Sequence, residues 1–206
     1  MKRKSYLIIF DLDGVLINSK LNMYYSWKNT KKIHMIRKSF KSYFLNIGMP
    51  FEKILEKLNI KKNQGLISKT YKKESLSYFD KIKLYKNVFQ TLKNLRLKKH
   101  KLAIVTSKDL VRTKKIIKKF NLKFDIVCSP MKNLRGKPYP DQLNYVIKKL
   151  KYNKKDTYYI GDMLVDYKAS KKAKIKFIFA EYGYGQNFKV YNNKIKNISD
   201  INKFLD

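Results

Sequence analysis

Residues 6–16 read Tyr6-Leu7-Ile8-Ile9-Phe10-Asp11-Leu12-Asp13-Gly14-Val15-Leu16. The run from Tyr6 to Phe10 is nearly all apolar, long enough for one strand buried on both faces and too short for a membrane span. It stops at Asp11, and a second carboxylate follows at Asp13 with Gly14 next to it. Two acids at the end of a buried strand are costly to desolvate unless a metal, a hydrogen-bond shell or a proton compensates them. A strand-ending turn rich in Asp and Gly would look the same locally. In open α/β sheets, however, ligands bind at the carboxyl ends of the strands, where these acids would sit. The deciding question is whether later strands deliver matching groups to that edge.

Composition narrows the field. The chain has 206 residues, 44% hydrophobic and 14% aromatic, enough for a substantial core with room for a small insert. A lone Cys128 excludes a disulfide framework or a cysteine zinc cluster and fits a reducing, cytoplasmic setting. Met1-Lys2-Arg3-Lys4 before an apolar run mimics a secretion signal, but the run is too short and no small-residue cleavage site follows. No stretch reaches transmembrane length, so no membrane partner is expected. The charge is unusual: 49 Lys and Arg against 15 Asp and Glu, net +34. Nucleic-acid binding would be electrostatically reasonable. The basic residues are instead spread along the chain, and pairs such as Lys114-Lys115 and Lys118-Lys119 flank apolar Ile116-Ile117 as on amphipathic helices. Nucleic acid is therefore not the favoured partner, and a small anionic ligand is.

Beyond Leu16 the pattern is helical. Ile33, Ile36, Phe40, Tyr43, Phe44 and Ile47 fall at helical spacing until Gly48-Met49-Pro50. Phe51, Ile54, Leu55 and Leu58 mark a second helix, and Leu66 to Ile82 one or two more. Residues 17–83 thus read as an all-helical insert. From Tyr85 helices and strands alternate. Strands are predicted at 102–105, 124–127, 158–160 and 177–180, with Asp109 capping one intervening helix and Pro140-Asp141 opening another. This alternation predicts a parallel, Rossmann-like sheet flanked by helices, built from residues 1–16 and 84–206. After Tyr184 the chain is basic and weakly patterned, with an edge strand at 195–198 and a short last helix after Ser199.

Three of these strands end in polar groups: Asp11 with Asp13, Thr106 with Ser107, and Asp162. In a parallel sheet they converge on one edge. Lys137 lies in a nearby loop, and Asp166 follows Asp162 by one helical turn. Here the chain resembles the haloacid dehalogenase-like hydrolase superfamily. The resemblance is carried by Phe10-Asp11-Leu12-Asp13-Gly14, Ile104-Val105-Thr106-Ser107, Gly136-Lys137-Pro138-Tyr139-Pro140-Asp141 and Gly161-Asp162-Met163-Leu164-Val165-Asp166, in that order. A helical insert between the first two motifs is similar to the family's C1 cap, and with Gly183-Tyr184-Gly185 it points to the phosphoglycolate phosphatase-like branch.

The resemblance implies a Mg²⁺-dependent phosphatase acting on a small phosphate monoester of the phosphoglycolate, sugar phosphate or nucleotide type. It implies Asp11 as nucleophile and Asp13 as general acid and base. Mg²⁺ would be held by the Asp11 carboxylate, the Asp13 backbone carbonyl and Asp162, with Asp166 acting from behind them or through water. Thr106, with Ser107 beside it, and Lys137 would bind the phosphoryl group. In the cap, Arg37 and Lys41 are candidate substrate contacts, and Trp27 is expected in the cap core or at its interface. His34 and His100 lie outside the motifs and are expected to be solvated, and Cys128 to be a small buried residue. The state expected is a monomer or homodimer.

Some positions depart from the branch: Asn18 stands where Asp is frequent, Lys86-Asn87 replaces Pro-Gly, and Lys174 takes a position often held by Gly. Dehalogenases of the superfamily lack the acid equivalent to Asp13, which favours phosphoryl chemistry. Hexose-phosphate mutases resemble the chain at Trp27 but usually carry a histidine where this chain has Met23, which favours a hydrolase. The rival from another class is a basic nucleic-acid-binding or end-processing protein on the same fold.

Overall fold

The computed structural model describes residues 4–185 and 193–205. Part of the basic segment after Tyr184, residues 186–192, and the first three residues lie outside that range. In chain order the elements are β1 (Leu7–Phe10), β2 (Ile17–Asn18), α1 (Lys20–Ile33), α2 (Phe40–Phe44), α3 (Phe51–Lys57), α4 (Gln64–Ser77) and β3 (Lys83–Leu84). Then come α5 (Val88–Leu97), β4 (Lys101–Val105), α6 (Leu110–Lys119), β5 (Ile126–Cys128), α7 (Asp141–Leu150) and β6 (Thr157–Gly161). The chain closes with α8 (Leu164–Ala173), β7 (Lys176–Ala180), β8 (Lys194–Ile195) and a 3₁₀ segment over Ile198–Phe204.

Six of the strands form one sheet in the order β5-β4-β1-β6-β7-β8, every pair parallel. β1 is central because all four of its residues are buried, and a strand apolar on both faces is stable only with helices covering both. Successive side chains point to opposite faces. Ile8 and Phe10 join one apolar cluster with Leu92, Leu95 and Ile116, while Leu7 and Ile9 join the other with Leu143 and Val146. The flanking β4 and β6 pair with β1 in register, Phe10 lying opposite Ile104 and Ile160. Asp11, Thr106 and Asp162 therefore leave the sheet at one edge.

The insert between β2 and β3 has an apolar cluster of its own, centred on Trp27, Tyr43, Leu55 and Tyr71. The two short strands pair antiparallel, Ile17 with Leu84 and Asn18 with Lys83, so both crossings into the insert run side by side. The single helix expected over residues 33–47 is not formed. α1 ends at Ile33, Met35 takes a left-handed φ of 51°, and α2 covers only five residues. Ile33 is exposed. α1 falls in the region read as helical, but hydrophobic periodicity marks no face on it before Ile33 because its packed face carries Asn22, Ser26 and Thr30 as well as Met23 and Trp27. Asn22 is satisfied by donating to the carbonyls of Ser75 and Tyr78, while Ser26 and Thr30 donate to the carbonyls of Asn22 and Ser26.

Two departures from the branch pattern fall where the backbone is left-handed. Asn87 has φ 66° at the start of α5, and Lys174 has φ 57° at the end of α8. Asparagine tolerates this region through its short polar side chain, whereas lysine there costs about 1 kcal/mol relative to glycine. Among the described residues no helix is long and apolar enough to cross a membrane.

Candidate active site

β1 carries Asp11 to the sheet edge, where its side chain is buried. The Asp11 backbone N–H donates to the Ile160 carbonyl at 2.9 Å, continuing the ladder to β6 and fixing where the side chain emerges. β6 delivers Asp162, fully buried, one strand away. Asp166, in the first turn of α8, completes a group with Asp11 and Asp162 in which one carboxylate oxygen from each lies within 4.8 Å of the others.

The three carboxylates are not equivalent. Asp166 is held by protein donors: Lys137 Nζ at 2.6 Å and Tyr159 Oη at 2.8 Å on Oδ1, and the Met163 backbone N–H at 2.9 Å on Oδ2. Asp162 Oδ2 accepts from the Tyr184 backbone N–H at 2.7 Å, while Asp162 Oδ1 is buried with no hydrogen-bond partner. Asp11 Oδ1 has Lys137 Nζ at 3.0 Å, off hydrogen-bond alignment. Burial pushes the Asp11 carboxyl up to about 7, although Lys137 pulls it down. Burial, then the charges of Asp166 and Asp11, push the Asp162 carboxyl upward as well. Acids driven up by desolvation and mutual repulsion, with a bare buried oxygen among them, fit an oxygen-coordinated divalent cation such as Mg²⁺.

Glycine is required where backbone closes on Asp162. Gly14 has φ 88°, and a Cβ there would lie 2.1 Å from Asp162 Oδ2; at Gly183 a Cβ would meet Asp162 Cβ at 2.3 Å. Thr106, at the end of β4, and Lys137, beside Asp11 and Asp166, are both buried. Desolvation opposes the Lys137 charge, but Asp11 and Asp166 outweigh it and hold the ammonium above its ordinary value. Thr106 Oγ1 accepts from the Lys108 backbone N–H at 3.1 Å. The Ser107 hydroxyl donates to the Gly48 carbonyl of the insert at 2.7 Å.

Asp13 sits apart from the carboxylate group. Its Oδ1 accepts from Ser19 Oγ and has Lys108 Nζ at 3.2 Å. Ser19 in turn is held by Tyr184, whose hydroxyl accepts from the Ser19 backbone N–H at 2.7 Å. Asp11, Asp13, Thr106, Ser107 and Lys137 line one cavity with Lys108, Arg112 and residues of the insert. Its volume is about 60 Å³, several times that needed for one water.

Two groups of sequence candidates lie elsewhere. Arg37 and Lys41 are exposed and absent from this cavity; Arg37 lines a separate surface groove with His34 and Lys61. The histidines are not simply solvated. His100 is buried, its Nδ1 accepting from the Tyr6 N–H at 3.1 Å, and burial lowers its pKa; His34 is half-buried against Thr70. Trp27 is wholly inside the cap core, stacked on Tyr43 at 4.6 Å. Cys128 is buried and its thiol is pushed up to about 11 by desolvation.

Lys108, Arg112, Ser19 and Tyr184 were not anticipated. The available signal for Lys108 was its place directly after Thr106-Ser107. Arg112 lies four residues further, in the first turn of α6.

The fold is a parallel, Rossmann-like sheet flanked by helices with a helical insert between β2 and β3. The family profile described as "Haloacid dehalogenase-like hydrolase" matches residues 8–180, and the chain belongs to that family. A "Pyrophosphatase PpaX" of Halalkalibacterium halodurans is 29% identical over 179 residues, 85% of this chain and 83% of that protein. A "Phosphoglycolate phosphatase" of Aquifex aeolicus is 27% identical over 205 residues, 97% of this chain and 96% of that protein. A hydrolase from Pseudomonas syringae superposes with a TM-score of 0.87 over 98% of both chains at 21% identity, a likeness of fold. The protein is thus an enzyme of this family, a hydrolase of its phosphatase kind.

Proposed function

We propose that the protein is a Mg²⁺-dependent phosphatase that hydrolyses a small phosphoryl compound through a covalent intermediate on Asp11. One observation carries the reading: carboxylate oxygens of Asp11, Asp162 and Asp166 lie within 4.8 Å of one another, an Asp162 oxygen is buried without a partner, and Lys137 Nζ stands 3.0 Å from Asp11. Phosphate monoesters are so inert that catalysis reaches ~10²¹-fold, which no single carboxylate supplies. A covalent route divides the barrier, and preorganised charge stabilises the transferring group.

In this reading Lys137 and Thr106 hold the phosphoryl oxygens, and Lys137 also keeps Asp11 ionised in a buried place. An Asp11 oxygen attacks phosphorus as the bond to the leaving oxygen breaks, and Asp13 gives that oxygen its proton. Asp13 then takes a proton from the water that attacks the same phosphorus, and the bond to Asp11 breaks. Asp11, Asp162 and the Asp13 carbonyl would hold the cation, with Asp166 anchoring Lys137 beside them. When bound, the cation supplies charge neutralisation for the phosphoryl oxygens. Ser19 and Lys108 hold Asp13 toward the cavity.

Met23 lines this cavity, and its thioether offers no proton-transfer group where a mutase would need one. The small volume beneath the cap favours a short substrate over a polynucleotide end. The test is phosphate release from phosphoglycolate, pyrophosphate, sugar phosphates and nucleotides, with Mg²⁺ and with EDTA. Release from a short substrate that EDTA abolishes and Mg²⁺ restores is expected. No release from any substrate, or full activity in Asp11→Asn, overturns the proposal.

A further inference from the structure

The cavity wall divides sharply by charge. Every residue that the insert contributes is uncharged, the polar exceptions being Tyr43 and Tyr71, whose hydroxyls pair at 2.7 Å. The core contributes two cations beyond Lys137. Lys108 and Arg112 are each 8% exposed. They stand four residues apart, Lys108 just before α6 and Arg112 in its first turn. Arg112 donates from Nε to Asp109, and its guanidinium lies 5.6 Å from the centre of the Tyr71 ring, at the boundary between core and insert.

Two buried cations side by side are unfavourable without a reason. Burial, reinforced by the Arg112 charge, pushes the Lys108 ammonium down in spite of Asp13. Lys137 serves the carboxylates and the transferring phosphoryl group, whereas Lys108 pairs with Asp13 and Arg112 with Asp109, and both still line the cavity. Lys108 contacts Asp13, the acid that serves the leaving oxygen in the phosphatase reading, so the pair belongs with the leaving group, and an anion between them relieves the repulsion and suits the planar guanidinium fork. Neutral hydroxyls would find few partners against Met23, Ile47, Phe51 and Ile54 of the insert, where the Tyr43 and Tyr71 hydroxyls already pair with each other.

Building on the phosphatase reading, we propose that Lys108 and Arg112 form a second anion subsite. The enzyme then selects short phosphoryl compounds whose leaving group itself carries an anion, a carboxylate or a second phosphoryl group. Specificity is set by the core helix α6, beneath a cap that closes the space without supplying charge. Neutral sugar phosphates are poor substrates on this account.

Calorimetric binding to the full chain separates this inference from the catalytic one. Phosphonoacetate and methylenediphosphonate, the carboxylate and phosphoryl arms, should each bind at least about tenfold tighter than uncharged-tailed 2-hydroxyethylphosphonate. Arg112→Gln should reduce that preference at least about fivefold, and Arg112→Lys, keeping charge without the fork, should fall between; melting curves establish that both variants are folded. The arm with the larger preference identifies the second group. In turnover, the ratio of kcat/KM for phosphoglycolate over 2-hydroxyethyl phosphate should fall in parallel. Equal binding of charged and neutral phosphonates by the wild-type chain, or an unchanged preference in folded Arg112→Gln, overturns the subsite. Selective binding without any turnover keeps the subsite and removes the phosphatase reading, and equal turnover of both esters does the reverse.

Discussion

Replacing Lys137 with methionine probes the centre of the site. Its Nζ lies 2.6 Å from Asp166 and 3.0 Å from Asp11, with all three side chains buried. Methionine keeps much of the stem but leaves two carboxylates, with Asp162 beside them, without their ammonium. Removing one partner of a buried ion pair costs about 3–5 kcal/mol, a large share of the roughly 5–15 kcal/mol that stabilises an ordinary domain. Proton uptake relieves part of this. The Asp11 carboxyl already stands at about 7 against the pull of Lys137, and without that pull it rises further.

A carboxyl raised in the folded state makes the folded protein bind protons that the unfolded chain releases. Its stabilising contribution is therefore complete at low pH and is lost as pH rises from the unfolded value through the folded one. The deficit of Lys137→Met relative to wild type should be smallest near about pH 6 and grow by up to about 1.4 kcal/mol per pH unit above it. Urea unfolding followed by circular dichroism in EDTA measures this directly. Mg²⁺ should recover part of the deficit, because a cation among the carboxylates replaces the missing charge. A deficit below about 1 kcal/mol that is flat with pH and indifferent to Mg²⁺ would refute the electrostatic account.

Three further outcomes follow from the same geometry. Asp13→Asn should slow turnover roughly 10²–10⁴-fold and accumulate phosphoenzyme, read by acid quench; wild-type release kinetics would remove Asp13 from proton transfer. Gly14→Ala forces a Cβ to within 2.1 Å of Asp162 Oδ2, so Mg²⁺ activation should weaken while stability falls by roughly 1–3 kcal/mol; unchanged Mg²⁺ dependence would show that Asp162 is not a ligand. Trp27→Ala empties the fully buried centre of the insert and should cost about 3–5 kcal/mol. Hydrogen exchange should locate the loosening in residues 20–77, and uniform loosening of the sheet would contradict a separate cap core.

The sheet was legible because its signals are local. A strand buried on both faces must be continuously apolar, and a chain that leaves such a strand at Asp11, Thr106 and Asp162 announces its functional edge within a few residues. The insert was less legible. α1 packs through Asn22, Ser26 and Thr30: the two hydroxyls donate one turn back within the helix, and Asn22 is satisfied by Ser75 and Tyr78, more than fifty residues away. Hydrophobic periodicity records none of this, and it assigned Ile33 and Ile36 to a helix that the left-handed Met35 ends.

By itself the sequence determined the order of the strands' polar endings and hence the carboxylates, threonine and lysine able to meet at one sheet edge, because parallel crossovers leave little choice of where strand ends go. Only the tertiary structure decided that Asp162 keeps a bare buried oxygen and that Asp166 is saturated by Lys137, Tyr159 and Met163. It also put Lys108 and Arg112, rather than Arg37 and Lys41, on the wall of the cavity that Asp11 and Asp13 line. Those distinctions depend on burial and on partners far apart in the chain, and a lysine's place in one sequence among so many lysines does not reveal which one has lost its water.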